Sequence, residues 1–265
     1  TPPMRLPGMG RAIALGPTTL WYILFFLIPL ALMQLAVFVG VSLSYLVPTA
    51  QFPFVDSHFA RIDRQLGFDF PAYVDFAVRT PWLRDLAAPV YSLVTVLLVF
   101  VTMGYLAVTK RIDEFERAMS FIVFASLLTV SISMFFPVGS TFAYYQIPFS
   151  VEEILGTTTG ASFNEYFGRV RLADTTTLEE GFRGMVSFPS FHTALGMMAV
   201  LYLRSNLLLL VPMAIGSAAM IATTPLIGGH FLVDILGGVV VSLFSFWLVE
   251  KLAGEPEYRL VLATS

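Results

Sequence analysis

Two short polar stretches, each at the start of an apolar segment, contain the residues best suited to chemistry. Residues 187–194 read Ser-Phe-Pro-Ser-Phe-His-Thr-Ala, and residues 228–234 read Gly-Gly-His-Phe-Leu-Val-Asp. They hold two of the three histidines in the chain, and nearly everything around them is hydrophobic. These stretches are therefore the first candidates for a polar site.

His230 and Asp234 stand four positions apart in a segment with a helical pattern. We expect both side chains on one helix face, one turn apart. A carboxylate that accepts a hydrogen bond from one imidazole nitrogen fixes the tautomer and makes the other nitrogen more basic. His230 is therefore a candidate nucleophile, and Gly228 and Gly229 would let a ligand approach the backbone closely. A purely structural His-Asp pair is the alternative, although ionisable residues at membrane depth are usually functional.

His192 stands near the expected start of another helix. Pro189 suits a first helical turn and Ser187 or Ser190 can cap it, so the free amides of that turn form an anion site that could hold a phosphate. His192 could then protonate a leaving oxygen. A lone histidine at a helix start is more often only a satisfied polar residue, but together the two stretches favour phosphoryl transfer without a metal.

Composition restricts the class of protein. Hydrophobic residues make up 57% of the 265 and charged residues only 12%, and the mean hydropathy is +0.79. These values are typical of an integral membrane protein. The absence of cysteine excludes disulfides, thiolate metal sites and a cysteine nucleophile. The net charge of -3, without a basic stripe, argues against nucleic acid as a partner.

The hydrophobic segments predict an all-α bundle of six transmembrane helices, formed by residues 1–265 as a single membrane domain. Two long polar loops interrupt the spans, and we expect short interfacial helices within them. The predicted segments are a tail at 1–19, spans at 20–47, 89–108, 118–136, 191–204, 207–223 and 229–250, an outer loop at 48–88 and an outer active-site loop at 137–188.

The positive charges of the short connections and termini predict the orientation, because such residues stay on the cytoplasmic side. They are Arg5, Arg11, Lys110, Arg111, Arg117, Arg204, Lys251 and Arg259. Both termini are then cytoplasmic, and both histidine stretches open helices on the outer face. We expect a bacterial inner membrane protein with a periplasmic site.

The two stretches resemble the second and third signature motifs of the type 2 phosphatidic acid phosphatase superfamily. The resemblance is specific over residues 187–238 and architectural upstream of them. It implies a reaction without metal or cofactor. In that reaction His230 attacks phosphorus to form a phosphohistidine, Asp234 orients His230, and His192 protonates the leaving group.

Some positions depart from the phosphatase pattern. Thr223 and Thr224 stand where the third motif has Ser-Arg, so a phosphate-binding arginine is missing, and Phe191 replaces the glycine before the first histidine. Lys110 and Arg117 imitate the spacing of the absent first motif, but the predicted topology puts them on the wrong side of the membrane. The pattern is similar to the branch that includes inositol phosphorylceramide synthases, in which the acceptor can be an alcohol.

Arg183 is the best candidate for the missing cation, because it precedes His192 by nine positions in the outer loop. Arg169 and Arg171 come next, since a planar guanidinium suits phosphate oxygens. A solvated loop arginine is the alternative for all three, and is favoured for Arg169 and Arg171.

The most concrete functional prediction is a lipid phosphate phosphatase, with a lipid phosphate and the membrane as partners. A headgroup phosphotransferase with an alcohol acceptor is the alternative within the same chemistry. A transporter or ion relay could use the same histidines, but matched halves with interrupted helices are largely missing. A metal site is a third alternative, but His230, Asp234 and the distant His192 would be few ligands for a metal ion, and His58 has no recognisable partner. The sequence leaves the oligomeric state open.

Overall fold

The computed structural model describes residues 37–157, 159, 161–172 and 184–254, together with residues 31, 34 and 35. Within these residues the chain is helical and contains no β-strand. Four helices are long and apolar enough to cross a membrane, and two shorter apolar helices accompany them. The predicted all-α membrane fold is confirmed at this level, and the count of six spans stays a prediction, since half of residues 20–47 lie outside the described part.

The helices are numbered here in chain order. They are α1 (Val37–Thr49), α2 (Asp56–Gln65), α3 (Phe70–Arg79), α4 (Pro81–Val108), α5 (Ile112–Phe135), α6 (Thr141–Tyr144), α7 (Phe149–Leu155), α8 (Ala161–Arg171), α9 (Phe191–Leu203), α10 (Leu207–Gly228) and α11 (Leu232–Ala253). The candidate spans are α4, α5, α10 and α11. The two predicted loops contain α2 and α3, and α6 to α8.

Helix α4 begins at Pro81, eight residues before the predicted span. Pro81 suits the first turn because its missing N–H needs no partner there. Pro89 lies inside the helix and is followed by a π-helical turn over Val90–Val94. A proline inside a helix removes one hydrogen bond, and a π-helical turn is a common local response to such a disturbance.

Helix α5 begins at Ile112, so most of the connection between the predicted spans 89–108 and 118–136 is helical. Asp113 and Glu114 lie in its first turn, where carboxylates interact favourably with the helix dipole. At the other end of the fold, α10 continues to Gly228 and α11 begins only at Leu232. Residues 229–231 therefore form a tight connection instead of a helix start.

Helix α9 packs among α4, α5, α10 and α11. The apolar core at this place contains Met198 of α9 together with Met103 of α4, Phe121 of α5 and Val241 of α11. The outer faces of the long helices remain apolar, with more than half of the Leu208 and Trp247 side chains exposed. Such a surface is typical of helices that face lipid.

Candidate active site

His230 and Asp234 form a buried pair at the start of α11. Nδ1 of His230 lies 3.1 Å from Oδ2 of Asp234, and the N–H of Phe231 donates to the same oxygen at 3.0 Å. Asp234 is fully buried, and its Oδ1 accepts no hydrogen bond from a described residue. The pair forms as the spacing predicts, although His230 lies just before the helix. Because Nδ1 is engaged, Nε2 is the ring nitrogen left for chemistry.

The connection around His230 depends on Gly229. Gly229 has a φ of +63°, which favours glycine. Its carbonyl accepts a hydrogen bond from the N–H of Thr141 at 3.1 Å. A Cβ at this position would lie 2.8 Å from both Ser140 Oγ and Thr159 Oγ1. The structure thus gives Gly229 a conformational role and a close backbone approach to the 140–141 segment.

Ser190 joins the two histidine stretches through the backbone. Its Oγ accepts the N–H of Thr193 at 3.4 Å and so caps α9. Its N–H donates to the carbonyl oxygen of Asp234 at 2.9 Å. Gly238, one turn further along α11, lies so close that a Cβ there would overlap the Ser190 carbonyl oxygen. The starts of α9 and α11 are therefore held together by main-chain contacts, and both polar groups of Ser190 are engaged in this support.

Tyr91 is the partner of His192 and was missed by sequence reasoning. Its hydroxyl and Nδ1 of His192 are hydrogen-bonded at 2.9 Å, and the two ring centroids are 4.4 Å apart. Tyr91 lies in the π-helical turn that follows Pro89. Such turns frequently occur at functional sites. The sequence signal that could have pointed to Tyr91 was therefore a proline inside an apolar segment, followed by a tyrosine.

The two histidines are brought to one place beside Gly228. A Cβ at Gly228 would lie 2.9 Å from His230 Nε2 and 3.1 Å from Tyr91 Oη. His192 and His230 also line one cavity of about 310 Å³. Most of its other walls are apolar side chains of α1, α5, α9 and the segment before α9, namely Val37, Val41, Ile122, Val130, Val186, Phe191 and Leu195. The predicted convergence of the two stretches is thus observed.

The two positions that replace Ser-Arg of the third motif do not offer their hydroxyls to the cavity. Thr223 and Thr224 both donate to the carbonyl oxygen of Met220, one turn back in α10, at 2.9 Å. In contrast, the backbone N–H groups of Phe191 and His192 donate to no described residue. These amides at the start of α9 are therefore backbone donors without a partner among the described residues.

Arg169 and Arg171, two of the arginines predicted to bind phosphate, contact other parts of the protein. Arg171 donates to the Phe52 carbonyl oxygen at 2.7 Å and lies over the Phe54 ring. Arg169 lies over the ring of Tyr166, 6.0 Å from its centroid. Neither is among the residues that line the cavity. Arg183 lies outside the described residues.

Arg117, which together with Lys110 imitates the spacing of the first motif, does not lie near the two histidines. Arg117 forms an ion pair with Glu250 at 2.7 Å. Glu250 is sixteen residues after Asp234 in α11, which corresponds to about 24 Å along the helix axis. Arg117 therefore lies at the opposite end of the bundle from the histidines. Among the residues that the structure describes, no group of three or more His, Asp or Glu side chains is arranged to hold a metal ion.

Comparison with known proteins identifies the family. Searches of curated proteins and of solved structures found no match. A model of the PAP2 superfamily matches residues 57–248, a range that contains Tyr91, His192, His230 and Asp234. The superfamily resemblance of the two histidine stretches is thereby confirmed, and with it a relation to phosphatase and phosphoryl-transfer chemistry. The chain belongs to the PAP2 superfamily.

Proposed function

We propose that this protein hydrolyses a lipid phosphate monoester through a phosphohistidine on His230, without a metal. The observation that carries the proposal is that His192 and His230 line one apolar cavity while each ring is held at Nδ1 by an oxygen partner. Both Nε2 atoms are then available to a phosphate that reaches the end of this cavity. Superfamily membership supports phosphoryl transfer as the reaction class.

The proposed reaction has two steps. Nε2 of His230 attacks phosphorus, and the bond between phosphorus and the lipid oxygen breaks while that oxygen takes a proton from Nε2 of His192. Water then attacks phosphorus, His192 takes a proton from the water, and the bond from phosphorus to His230 breaks. Asp234 stabilises the positive charge that develops on His230 in the first step.

The free amides of Phe191 and His192 are the proposed phosphate donors, because two N–H groups at a helix start suit an anion. Arg183 remains our candidate for the cation, with Arg169 and Arg171 as weaker ones because of their engagement elsewhere. The apolar walls of the cavity suit the hydrocarbon part of a lipid. We also propose that the site faces the outer side of the membrane.

A headgroup phosphotransferase is the second candidate. It is favoured by Thr223 and Thr224, whose hydroxyls both donate to the carbonyl oxygen of Met220. These two threonines stand where phosphatases of this type have Ser-Arg. A third motif that differs in this way is similar to the inositol phosphorylceramide synthase branch. In this version an alcohol replaces water in the second step, so the phosphoryl group passes to the alcohol oxygen.

The test uses the purified protein in detergent, with EDTA, and a panel of lipid phosphate monoesters with and without alcohol acceptors. We expect release of inorganic phosphate in the presence of the chelator, and a phosphorylated alcohol if the second candidate is correct. Activity that appears only after a divalent metal is restored would contradict the phosphohistidine mechanism. A complete lack of both products over the panel would contradict both functions.

A further inference from the structure

Asp63 of helix α2, in the predicted outer loop, contacts the backbone that follows His230. Its Oδ2 accepts the N–H of Leu232 at 2.8 Å, and its Oδ1 accepts the N–H of Val233 at 3.1 Å. The Asp63 side chain is almost fully buried. Leu232 and Val233 are the first two residues of α11, where N–H groups have no acceptor within their own helix. Asp63 thus caps α11 from a helix 169 residues earlier in the sequence.

Asp56, on the same helix, holds the other side of the site. It precedes Asp63 by seven residues, which puts both side chains on one helix face. Its carboxylate accepts the N–H of Gly139 at 3.1 and 3.2 Å. Two residues later, Thr141 donates its N–H to the Gly229 carbonyl oxygen. The residue before His230 is therefore linked to α2 through the 139–141 segment.

His230 consequently lies between two points that α2 holds. Gly229 is linked through Thr141 and Gly139 to Asp56, and Leu232 is bound directly by Asp63. The Phe59 ring of α2 also contacts Phe231 edge to face, with centroids 6.2 Å apart. Every residue from 229 to 233 except His230 itself thus has a direct or linked contact with α2.

We propose that Asp63 is a positioning residue for the reaction: it fixes the start of α11 so that the His230 Nε2 faces the cavity. This inference rests on the proposed phosphoryl transfer. Displacement of a reacting group by about 1 Å can reduce a rate about 100-fold, so a carboxylate that sets the position of this short connection controls turnover. A purely stabilising tether would instead change the unfolding temperature and leave turnover of the folded enzyme intact.

The kinetic experiment compares Asp63→Ala and Asp63→Asn with the wild type in detergent, well below the unfolding midpoint of each variant. We expect kcat to fall about 10- to 100-fold in Asp63→Ala with little change in KM. Asp63→Asn keeps one acceptor oxygen and should fall less. Asp69→Ala is the matched control, because Asp69 also caps a helix of the same loop, accepting the Ala72 N–H, but only its own helix α3; it should keep the wild-type kcat.

A second readout does not depend on activity. Diethyl pyrocarbonate modifies histidines, and the exposed His58 serves as an internal reference for the buried His230. Release of the 229–233 connection should increase the labelling of His230 relative to His58 in Asp63→Ala and Asp63→Asn, measured by mass spectrometry, and Asp69→Ala should match the wild type.

Folded Asp63 variants with wild-type kcat and wild-type labelling would overturn the inference, and Asp63→Asn decides the matter if Asp63→Ala does not fold. A wild type without activity on any lipid phosphate would contradict the proposed function, and the labelling would still test the role of Asp63.

Discussion

The hydroxyl of Tyr91 lies 2.9 Å from Nδ1 of His192, just as Oδ2 of Asp234 lies 3.1 Å from Nδ1 of His230. Both imidazoles are oriented at Nδ1, but by partners of different charge. A carboxylate stabilises a developing positive charge, which suits a nucleophile. A phenol orients the ring without a fixed charge, which suits the proton transfer in both directions that we propose for His192.

Removal of the Tyr91 hydroxyl should therefore slow the reaction without loss of the fold. Tyr91→Phe keeps the aromatic contact and removes the hydrogen bond, and we expect kcat to fall about 10-fold or more with little change in KM. Phosphate release and thermal unfolding would be measured together. Tyr105→Phe, on the same helix near the Arg111 end, is the control. Unchanged turnover in Tyr91→Phe would contradict an orienting role.

Loss of the nucleophile or of its partner should abolish turnover. His230→Ala should form no phosphoenzyme, and Asp234→Asn should reduce kcat at least about 100-fold because an amide cannot stabilise the imidazolium. The phosphoenzyme would be trapped from a radiolabelled substrate and tested for the stability in base and lability in acid of a phosphohistidine. His58→Ala, on the exposed face of α2, should behave as the wild type. An active His230→Ala would exclude our nucleophile.

A methyl group at Gly228 should displace the His230 ring. The Cβ of Gly228→Ala would overlap the ring at Cδ2 and lie 2.9 Å from Nε2, so we expect a large loss of kcat in a protein that still inserts and folds. Gly104→Ala is the matched control, because no atom lies within 4 Å of the corresponding Cβ in α4. It should retain activity, and its unfolding temperature should equal or exceed that of the wild type. Equal activities in the two variants would contradict the described packing.

The stability of the protein should depend on the charge of Asp56. Burial raises the pKa of this carboxyl from 3.8 to about 6, although the N–H of Gly139 acts in the opposite direction. The folded state therefore binds the proton more tightly than the unfolded state, and stability falls as the pH rises from about 4 to about 6. A shift of about two units corresponds to a penalty of order 3 kcal/mol above pH 6.

Asp56→Asn keeps an acceptor for Gly139 and has no charge to bury. We expect it to unfold at a higher temperature than the wild type near pH 8 and at a similar temperature near pH 4. Asp75→Asn, at an exposed ion pair with Arg79, should differ little from the wild type at either pH. A difference between Asp56→Asn and the wild type that is the same at every pH would contradict the role of this ionisation.

The orientation can be measured directly because the chain contains no cysteine. Ser57→Cys lies on the exposed face of α2, and Lys110→Cys lies in the turn between α4 and α5. An impermeant maleimide added to intact cells should label Ser57→Cys, and should label Lys110→Cys only after the membrane is opened. The reverse pattern would place the site on the inner face.

Much of the fold and the central pair of the site could be predicted from local sequence. The spacing of His230 and Asp234 and the apolar runs of α5, α9, α10 and α11 are short-range signals. Helix limits were less accurate, since Pro81 starts α4 and Ile112 starts α5 within charged sequence that resembled loop. Proline suits the first turn of α4, and the acidic residues in the first turn of α5 interact favourably with the helix dipole, so charged residues nearby do not prevent either helix.

The contacts around the histidines depend on long-range packing that no sequence spacing encodes. Tyr91 is 101 residues from His192, and Asp63 is 169 residues from Leu232. The phosphate-binding shell was the weakest prediction for the same reason. Arg171 is a plausible ligand by residue type, and only its contact with the Phe52 carbonyl shows that its donors are used elsewhere.

The hydrogen bond from the Ser190 N–H to the Asp234 carbonyl oxygen joins main-chain atoms, and Gly238 allows the close approach that it requires. The segments that carry His192 and His230 are consequently held together by main-chain atoms that every residue type except proline possesses, and position 238 requires glycine. Helix α10, which separates these segments in sequence, returns the chain to the same end of the bundle and places Gly228 beside the His230 ring, whereas an exposed residue at its other end, such as Leu208, is free to vary. A contact of this kind constrains few side chains, so it can persist while most of the surrounding sequence changes.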